Sequence, residues 1–410
     1  MWLVVRLSLL TLIIFVVEFY FIKKVLSTIK SVFPNYNQKR LKKITRYFVL
    51  FINLFPLIGI GYMIYYATSG IRPSFPPDSF LFDVFIQFPF WLFVLWMVQC
   101  ILFFLPIDIL RILFFPLYRS RREKVKRIIS KIQFVLTVFF LVYVPARSLY
   151  DYLTVSVRVV EYQKKDLPKV LDGFKLVLIA DVQADQYTNR WRLQQFIDKV
   201  NGAHPDLVLI AGDVVTSTPN YVDMASQFLG KIQSKYGVYA CIGDHDNWVY
   251  RNDTEKSLRV VTSALAKQDI PMIDNKKKII DIDSFKIGIA FVTNNYVHRI
   301  NRDVLDTLSV MPDSLDLKIF LTHQPRQFLI DAAIKHGYDL FLAGHTHGGQ
   351  ITFFFPFYNL SPTLIETKYV RGDFHFGNML AVVTRGLGMS LVPLRLNSTP
   401  EVTVIVLKSK

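Results

Sequence analysis

The stretch Phe174-Lys-Leu-Val-Leu-Ile-Ala-Asp-Val-Gln183 joins an apolar run to a polar turn. A short apolar run bounded by turn residues is typical of a strand that is buried on both faces of a sheet. Asp181 and Gln183 then offer oxygen ligands at the carboxyl end of that strand. The segment therefore predicts a buried strand that delivers polar side chains to the edge of a sheet.

The same strand-and-turn unit recurs downstream. The later units are 206–211 followed by Gly212-Asp213, 238–242 followed by Gly243-Asp244-His245-Asp246, 317–322 followed by His323, and 340–343 followed by Gly344-His345-Thr346-His347. Helical patterns at 190–201 and 254–268 lie between some of these units. This order predicts an α/β sandwich whose polar turns gather along one edge of the strands.

The residue types at these turns favour a metal site for phosphate chemistry. A phosphate ester is negatively charged and resists attack by water, but two neighbouring cations can bind its oxygens and acidify a bridging water. Carboxylates and imidazoles are suitable ligands, and glycines let the backbone bring them close. One such turn would be weak evidence, whereas five turns that each follow an apolar strand indicate a shared site.

These motifs resemble those of the calcineurin-like metallophosphoesterases, especially the membrane-linked phosphodiesterase branch that includes the transmembrane metallophosphoesterases. The family signature runs Asp-x-His, Gly-Asp, Gly-Asn-His-Asp/Glu, a later His and Gly-His-x-His. The corresponding residues here are Asp181-x-Gln183, Gly212-Asp213, Gly243-Asp244-His245-Asp246, His323 and Gly344-His345-Thr346-His347. The resemblance implies a four-layer α/β/β/α sandwich that hydrolyses phosphate mono- or diesters with two divalent metal ions.

The family roles carry over onto the matching positions. The implied ligands are Asp181, Gln183, Asp213 and His347 for the first metal, and Asp213, Asp244, His323 and His345 for the second, with Asp213 as the bridge. His245 would stabilise the transition state or protonate the leaving oxygen without binding metal, and Asp246 would orient its ring.

Two positions depart from the family pattern. Gln183 stands where the family has histidine, and Asp244 stands where it has asparagine. Gln183 replaces a nitrogen ligand with a neutral oxygen ligand, and Asp244 replaces a neutral amide with a negative carboxylate, so the two changes together make the site harder. We therefore expect manganese as the activating metal, ahead of zinc, iron or magnesium.

The part before residue 150 has a different composition. The chain is 52% hydrophobic and 15% aromatic, which is more apolar than an ordinary soluble protein, and the excess lies in this part. Four stretches, approximately 2–22, 47–67, 80–105 and 128–146, could each span a bilayer core, which takes about 20 apolar residues in a helix. We expect an α-helical transmembrane region at 1–150, followed by the metallophosphoesterase domain at 151–410.

Much of the net charge of +16 lies in two loops between these stretches, 23–46 and 106–127. Basic loops stay on the cytoplasmic side of a membrane and contact anionic lipid headgroups. The pattern thus predicts an integral protein of the cell (inner) membrane whose residues 151–410 are periplasmic or extracellular. It favours the lipid bilayer as a partner and disfavours nucleic acid.

Alternative functions follow from the same residues. The expected substrate is a phosphoester at or near the membrane, which includes lipid-linked esters. A hydrolase of a nucleotide-linked lipid precursor would need a cytoplasmic domain, against the predicted topology. A sensor that only binds phosphate would keep the ligands without turnover. The pattern leaves the oligomeric state open.

Overall fold

Two units make up the chain, of which the computed structural model describes residues 2–70, 77–165 and 167–409. The first unit comprises Met1–Ser148 together with Phe353–Tyr358, and the second comprises Leu149–Thr352 and Asn359–Lys410. The main boundary therefore falls close to the predicted one at residue 150. The assignment of Phe353–Tyr358 to the first unit was not predicted, because these residues lie within the range 151–410.

Long helices form the first unit. They are α1 Trp2–Val32, α2 Gln38–Ile52, α3 Leu54–Ser69, α4 Phe88–Leu113 and α5 Arg122–Leu153, the last of which ends in the second unit. Among the described residues, the helical segments Phe80–Leu113 and Phe115–Leu153 are long and apolar enough to cross a membrane, and α2 with α3 adds a third if this pair, bent by 41°, is one span. The count of four spans stays a prediction, and half of the stretch 68–79 between the second and third predicted spans lies outside the described residues.

Two buried polar side chains in the first unit, those of Glu18 and Gln99, are hydrogen-bonded to distant residues. Glu18, which the sequence places near a span end, is 5% exposed and accepts a hydrogen bond from Asn53 Nδ2 at 2.9 Å. The amide of Gln99 donates to the carbonyl of Phe354 at 2.7 Å and accepts from its N–H at 2.8 Å. An unpaired polar group is costly in apolar surroundings, so Gln99 satisfies both backbone groups of a residue that faces an apolar helix.

Strands dominate the second unit. They are β1 Ser156–Lys164, β2 Lys175–Ile179, β3 Leu207–Ile210, β4 Val238–Cys241, β5 Met272–Ile273, β6 Lys276–Ile282, β7 Phe285–Val292, β8 Leu317–Thr322, β9 Leu340–Ala343, β10 Phe353–Phe355, β11 Tyr358–Leu360, β12 Gly372–Phe376, β13 Met379–Val383 and β14 Glu401–Ser409. They form one sheet in the order β1-β14-β2-β3-β4-β5, another in the order β12-β13-β9-β8-β7-β6, and the hairpin β10-β11. The hairpin contains residues Phe353–Tyr358, which belong to the first unit.

Helices cover the outer faces of both sheets, which confirms the predicted four-layer α/β/β/α sandwich. They are α6 Arg190–Gly202, α7 Val222–Leu229, α8 Thr254–Ala266, α9 Arg302–Ser309 and α10 Gln327–Lys335. Along β2, Leu176 and Leu178 face the second sheet, whereas Val177 and Ile179 face helices α6 to α8. A strand that is buried on both faces has no polar alternation, which is why the apolar runs of the sequence are unbroken.

Parallel pairing gathers the strand ends. Strands β2, β3 and β4 run parallel in the first sheet, and β7, β8 and β9 run parallel in the second. The carboxyl ends of parallel neighbours lie at the same edge of a sheet. Strand β14 lies between β1 and β2, parallel to the first and antiparallel to the second.

Candidate metal centre

Side chains from five strand ends meet at the edge of the two sheets. The ligand atoms of Asp181, Asp213 and His323 lie within 4.8 Å of one another, and so do those of Asp244, His323 and His345. His323, assigned from the sequence to the second metal alone, is therefore shared between two candidate groups. This spacing suits two neighbouring cations.

The backbone at these positions is unusual. Positive φ angles occur at Asp181 (52°), Gln183 (48°), Asp213 (59°), His345 (72°) and His347 (49°). Residues other than glycine rarely adopt this left-handed conformation, which costs on the order of 1–3 kcal/mol each and clusters at functional sites. Five predicted ligands that share it indicate that the fold gives up stability to direct these side chains inward.

Two glycines allow the turns after β3 and β4 to touch. A Cβ on Gly243 would lie 2.2 Å from Oδ1 of Asp213, and one on Gly212 would lie 2.6 Å from Cα of Gly243. Both positions would force the backbone or Asp213 to move, since real Cβ atoms do not approach so closely. The glycines in the Gly-Asp motifs therefore bring Asp213 and Asp244 together.

Gln183 and His347 lie beside the first group. Nε2 of Gln183 donates to Oδ2 of Asp213 at 2.8 Å, while its Oε1 is buried and has no hydrogen-bond partner in the described part of the chain. Nε2 of His347 lies 3.8 Å from Oδ1 of Asp181. A buried carbonyl oxygen without a donor is costly, and a cation would satisfy it. Gln183 therefore fits the role of an oxygen ligand.

Arg395 organises the backbone around His347. Its buried guanidinium donates to the carbonyl oxygens of His347, Arg385, Gly388 and Ser398 at 2.9–3.2 Å. Burial lowers the pKa of His347 well below its usual value, and the nearby Arg395 cation lowers it further. His347 is thus neutral, the form in which an imidazole binds metal. Sequence reasoning missed Arg395, which lies outside every motif.

Asp244 is surrounded by hydrogen-bond donors, which explains why a carboxylate stands there. Oδ1 accepts from the backbone N–H of Tyr296 at 2.6 Å, and Oδ2 accepts from Nε2 of Gln324 at 2.8 Å. An asparagine that kept its oxygen toward the ligand group would direct its NH₂ at the N–H of Tyr296. Two donors cannot form a hydrogen bond with each other, so an aspartate fits beside the N–H of Tyr296 better than the asparagine of the family pattern.

His345 lies between two carboxylates. Nδ1 is 3.0 Å from Oδ2 of Asp244, and Nε2 donates to Oε1 of Glu366 at 2.9 Å. Burial lowers the pKa of His345, but the hydrogen bonds to Asp244 and Glu366 outweigh this and raise it to about 9. A carboxylate on the outer nitrogen fixes the ring and makes the inner nitrogen a better ligand. Glu366 therefore orients His345 for metal binding.

Glu366 is itself held in place. The hydroxyl of Tyr296 donates to its Oε1 at 2.5 Å, and the guanidinium of Arg326 forms an ion pair with it. Arg326 also donates to Gln324, which closes a ring of hydrogen bonds around Asp244 and His345. No sequence signal pointed to Glu366 or Arg326, because both lie in segments without motif or periodicity.

His245 faces the site from the turn after β4 and belongs to neither ligand group. Its Nδ1 lies 2.5 Å from the carbonyl oxygen of Thr216, its Nε2 lies 3.1 Å from Oγ of Ser390, and the edge of its ring contacts Trp248. Because Nδ1 donates to a carbonyl, Nε2 is the nitrogen available for proton transfer.

The role expected for Asp246 differs from what the structure shows. Its carboxylate accepts hydrogen bonds from the backbone N–H groups of Asp213, Val214 and Gly243 at 2.8–3.0 Å. It therefore fixes the two turns, and the carbonyl of Thr216 holds the His245 ring instead. The family resemblance implied Asp246 as the partner of the His245 ring, whereas its carboxylate is used by the backbone N–H groups of the two turns.

Asp185 holds in place Thr216, the residue whose carbonyl oxygen contacts His245. Oδ2 of Asp185 accepts from the hydroxyl of Thr216 at 3.0 Å, and Oδ1 accepts from the N–H groups of Tyr187 and Thr188 at 2.8 Å. Burial raises its pKa to about 6. Asp185 thus anchors the residue that orients His245.

The chain is similar in sequence to known proteins. Residues 174–349 match the family model described as calcineurin-like phosphoesterase. The uncharacterized metallophosphoesterase YkuE of Bacillus subtilis is 32% identical over 59% of this chain and 82% of its own length. The uncharacterized metallophosphoesterase Cj0846 of Campylobacter jejuni is 26% identical over 92% of this chain and 95% of its length. A zebrafish (Danio rerio) protein described as a transmembrane protein with metallophosphoesterase domain is 26% identical over 70% and 66%.

Proposed function

The chain belongs to the calcineurin-like metallophosphoesterases, and from this premise we propose that it hydrolyses phosphate mono- or diesters at or near a membrane with two divalent metal ions. The observation that carries the proposal is the convergence of the predicted ligands from five strand ends, with His245 beside them and outside the ligand groups. A phosphate sensor would need the ligands alone. A histidine beside them whose Nε2 contacts only a hydroxyl group and not a ligand side chain favours turnover.

The ligands divide between two positions. Asp181, Gln183 and His347 would hold the first metal, His323 and His345 with Asp244 the second, and Asp213 both. Two such cations supply charge neutralisation for the phosphate and acidify the attacking water. The protein contributes their spacing, the neutral state of His347 and the rigid hydrogen-bond ring around His345.

The identity of the activating metal is inferred from the ligand atoms. The family ligands Asp, His, Asp, Asn, His, His and His carry a formal charge of −2, and Asp244 in place of asparagine makes it −3, while Gln183 changes no charge. Oxygen-rich, negative sites suit manganese or magnesium better than zinc. We therefore infer activation by manganese, with the first metal held less tightly because Gln183 is a neutral oxygen donor.

Gln183→His should tighten the first position and extend metal use toward zinc and iron, because imidazole suits these metals. The measurement is the affinity of each metal by isothermal titration calorimetry, together with activity after chelation. Gln186→His, a nearby change outside the ligand groups, serves as the control. Two tightly held zinc ions in the purified wild type, with no gain in Gln183→His, would contradict the inference.

The proposed location rests on the charged loops. If the loops 23–46 and 106–127 are cytoplasmic, a reporter fused after Lys410 should be active only outside the cytoplasm. Alkaline phosphatase and a fluorescent protein that matures only in the cytoplasm form a matched pair of reporters. Activity of the cytoplasmic reporter alone would reverse the orientation and favour the hydrolase of a nucleotide-linked lipid precursor.

Substrates of a membrane-bound enzyme include lipid phosphoesters. Ile365 and Leu391 are 95% and 96% exposed, and each adjoins a residue that contacts a site histidine, Glu366 and Ser390 respectively. Exposed apolar side chains beside a polar site fit a substrate with an apolar part. This supports a lipid-linked phosphoester as the natural substrate class.

The decisive assay uses the purified full chain in detergent. Hydrolysis of bis(p-nitrophenyl) phosphate that requires added manganese and stops with a chelator would support the proposal. Binding of manganese and orthophosphate without turnover of any aryl phosphate would instead identify a sensor. Release of product by a sample depleted of metal would exclude the proposed mechanism.

A further inference from the structure

Ser390 contacts the working nitrogen of His245. Its Oγ lies 3.1 Å from Nε2, on the side of the ring opposite the Nδ1 contact with Thr216. Both nitrogens of the ring are thereby engaged, so the ring has one orientation in which both hydrogen bonds are kept. A proton donor that is aligned before the reaction needs little reorganisation when the leaving group departs.

Gln350 fixes the position of Ser390. Its Oε1 accepts from the N–H of Ser390 at 2.8 Å, and its Nε2 donates to the carbonyl oxygens of Ser390, Val392 and Leu394 at 2.7–3.1 Å. One buried side chain therefore holds a whole turn. Gln350 follows His347 by three residues, so the turn with Ser390 is tied to the segment that carries a metal ligand.

The next residue shows that this turn is held against its local preference. Leu391 has a φ of 63° and is 96% exposed. A branched side chain in the left-handed region is strained, and full exposure means that packing of Leu391 does not compensate for the strain. The hydrogen bonds of Gln350 maintain this conformation of the turn, and the turn places the Ser390 hydroxyl against His245.

We propose that Ser390 is a positioning residue for the proton donor His245 and determines how well the enzyme expels poor leaving groups. This inference rests on the proposed phosphoesterase function. In the step concerned, the oxygen of the attacking hydroxide bonds to phosphorus, the bond from phosphorus to the leaving oxygen breaks, and the electron pair of the broken bond takes the proton from Nε2 of His245. A leaving group of high pKa needs that proton, whereas an acidic phenol departs without it.

The test is a series of bis-aryl phosphates, from p-nitrophenyl to unsubstituted phenyl, with Ser390→Ala in the full chain. We expect Ser390→Ala to change hydrolysis of the p-nitrophenyl ester little. Hydrolysis of the phenyl ester should fall by as much as about 10²-fold, the effect of a misplaced catalytic group. Ser390→Thr, which keeps the hydroxyl, should restore most of the loss.

Control measurements separate this role from a structural one. Ser398→Ala removes a hydroxyl that bonds to the carbonyls of His347 and Gly348, and it should change all esters by the same factor. Bound manganese should stay equal in the wild type and Ser390→Ala. An equal effect of Ser390→Ala on every ester, or none, would overturn the inference. Absence of metal-dependent hydrolysis in the wild type would instead overturn the proposed function.

Discussion

Asp213→Asn is expected to prevent binding of both metals and reduce hydrolysis to the background rate. Its Oδ2 accepts from Gln183 at 2.8 Å and lies 3.4 Å from Nε2 of His323, so this carboxylate adjoins both ligand groups. Loss of an outer hydrogen-bond partner costs a metal site about 10–100-fold in affinity, and loss of the shared ligand should cost more. Bound metal by mass spectrometry and turnover by product release measure the two effects.

Stability distinguishes a binding defect from a folding defect. Burial raises the pKa of Asp181 to about 7, and the negative charge of Asp213 adds to this effect. Removing that charge relieves this repulsion, but it also removes the anionic partner of His323 and puts an NH₂ group against the donors of His245 or Gln183. Metal-free Asp213→Asn should therefore unfold at a lower temperature than the metal-free wild type, still in one cooperative transition. Only the wild type should gain stability on addition of manganese. The exposed Asp198→Asn serves as a control, and two metals retained by Asp213→Asn would refute the bridging role.

His245→Ala should lower turnover of the phenyl ester, whose leaving group needs a proton, by about 10²–10⁴-fold, the usual contribution of a general acid, without loss of metal. The ring contacts Thr216, Ser390 and Trp248 and lies outside both ligand groups. Its removal should therefore affect the leaving group and leave the ligands intact. Steady-state kinetics and metal content on the same preparation provide the measurement.

The matched control is His375→Ala, because His375 is exposed on β12 and should retain full turnover. Equal metal loss in His245→Ala and Asp213→Asn would show that His245 is a ligand. Unchanged turnover in His245→Ala would show that another group protonates the leaving oxygen or that no proton is needed.

Much of the fold follows from local sequence because each apolar run indicates both that its strand is buried and where the strand ends. A run such as Leu176–Ile179 has no polar alternation, which predicts a strand covered on both faces and hence helices outside the sheets. The residue after the run marks the carboxyl end of the strand. Parallel pairing then brings Asp181, Asp213 and Asp244 together without further information.

The remaining contacts depend on irregular segments. Thr216, Glu366 and Ser390 reach the site from loops, where no periodicity predicts the direction of a side chain. Hydrogen bonds across more than 100 residues, such as the one between Ser390 and His245, follow only from the completed fold. The number of membrane spans does not follow from composition for a different reason. Apolar composition predicts that a segment is a helix, but it does not predict whether two helices joined at a bend form one span.

Strand β14 has a consequence for biosynthesis. It lies inside the first sheet, between β1 and β2, yet it leaves the ribosome after every other strand of that sheet. Until residues 401–409 emerge, the nascent chain exposes the edges of β1 and β2, and open edges invite pairing with other chains. Chaperones that cover these edges during translation would therefore matter more here than in a domain whose last strand lies at the rim.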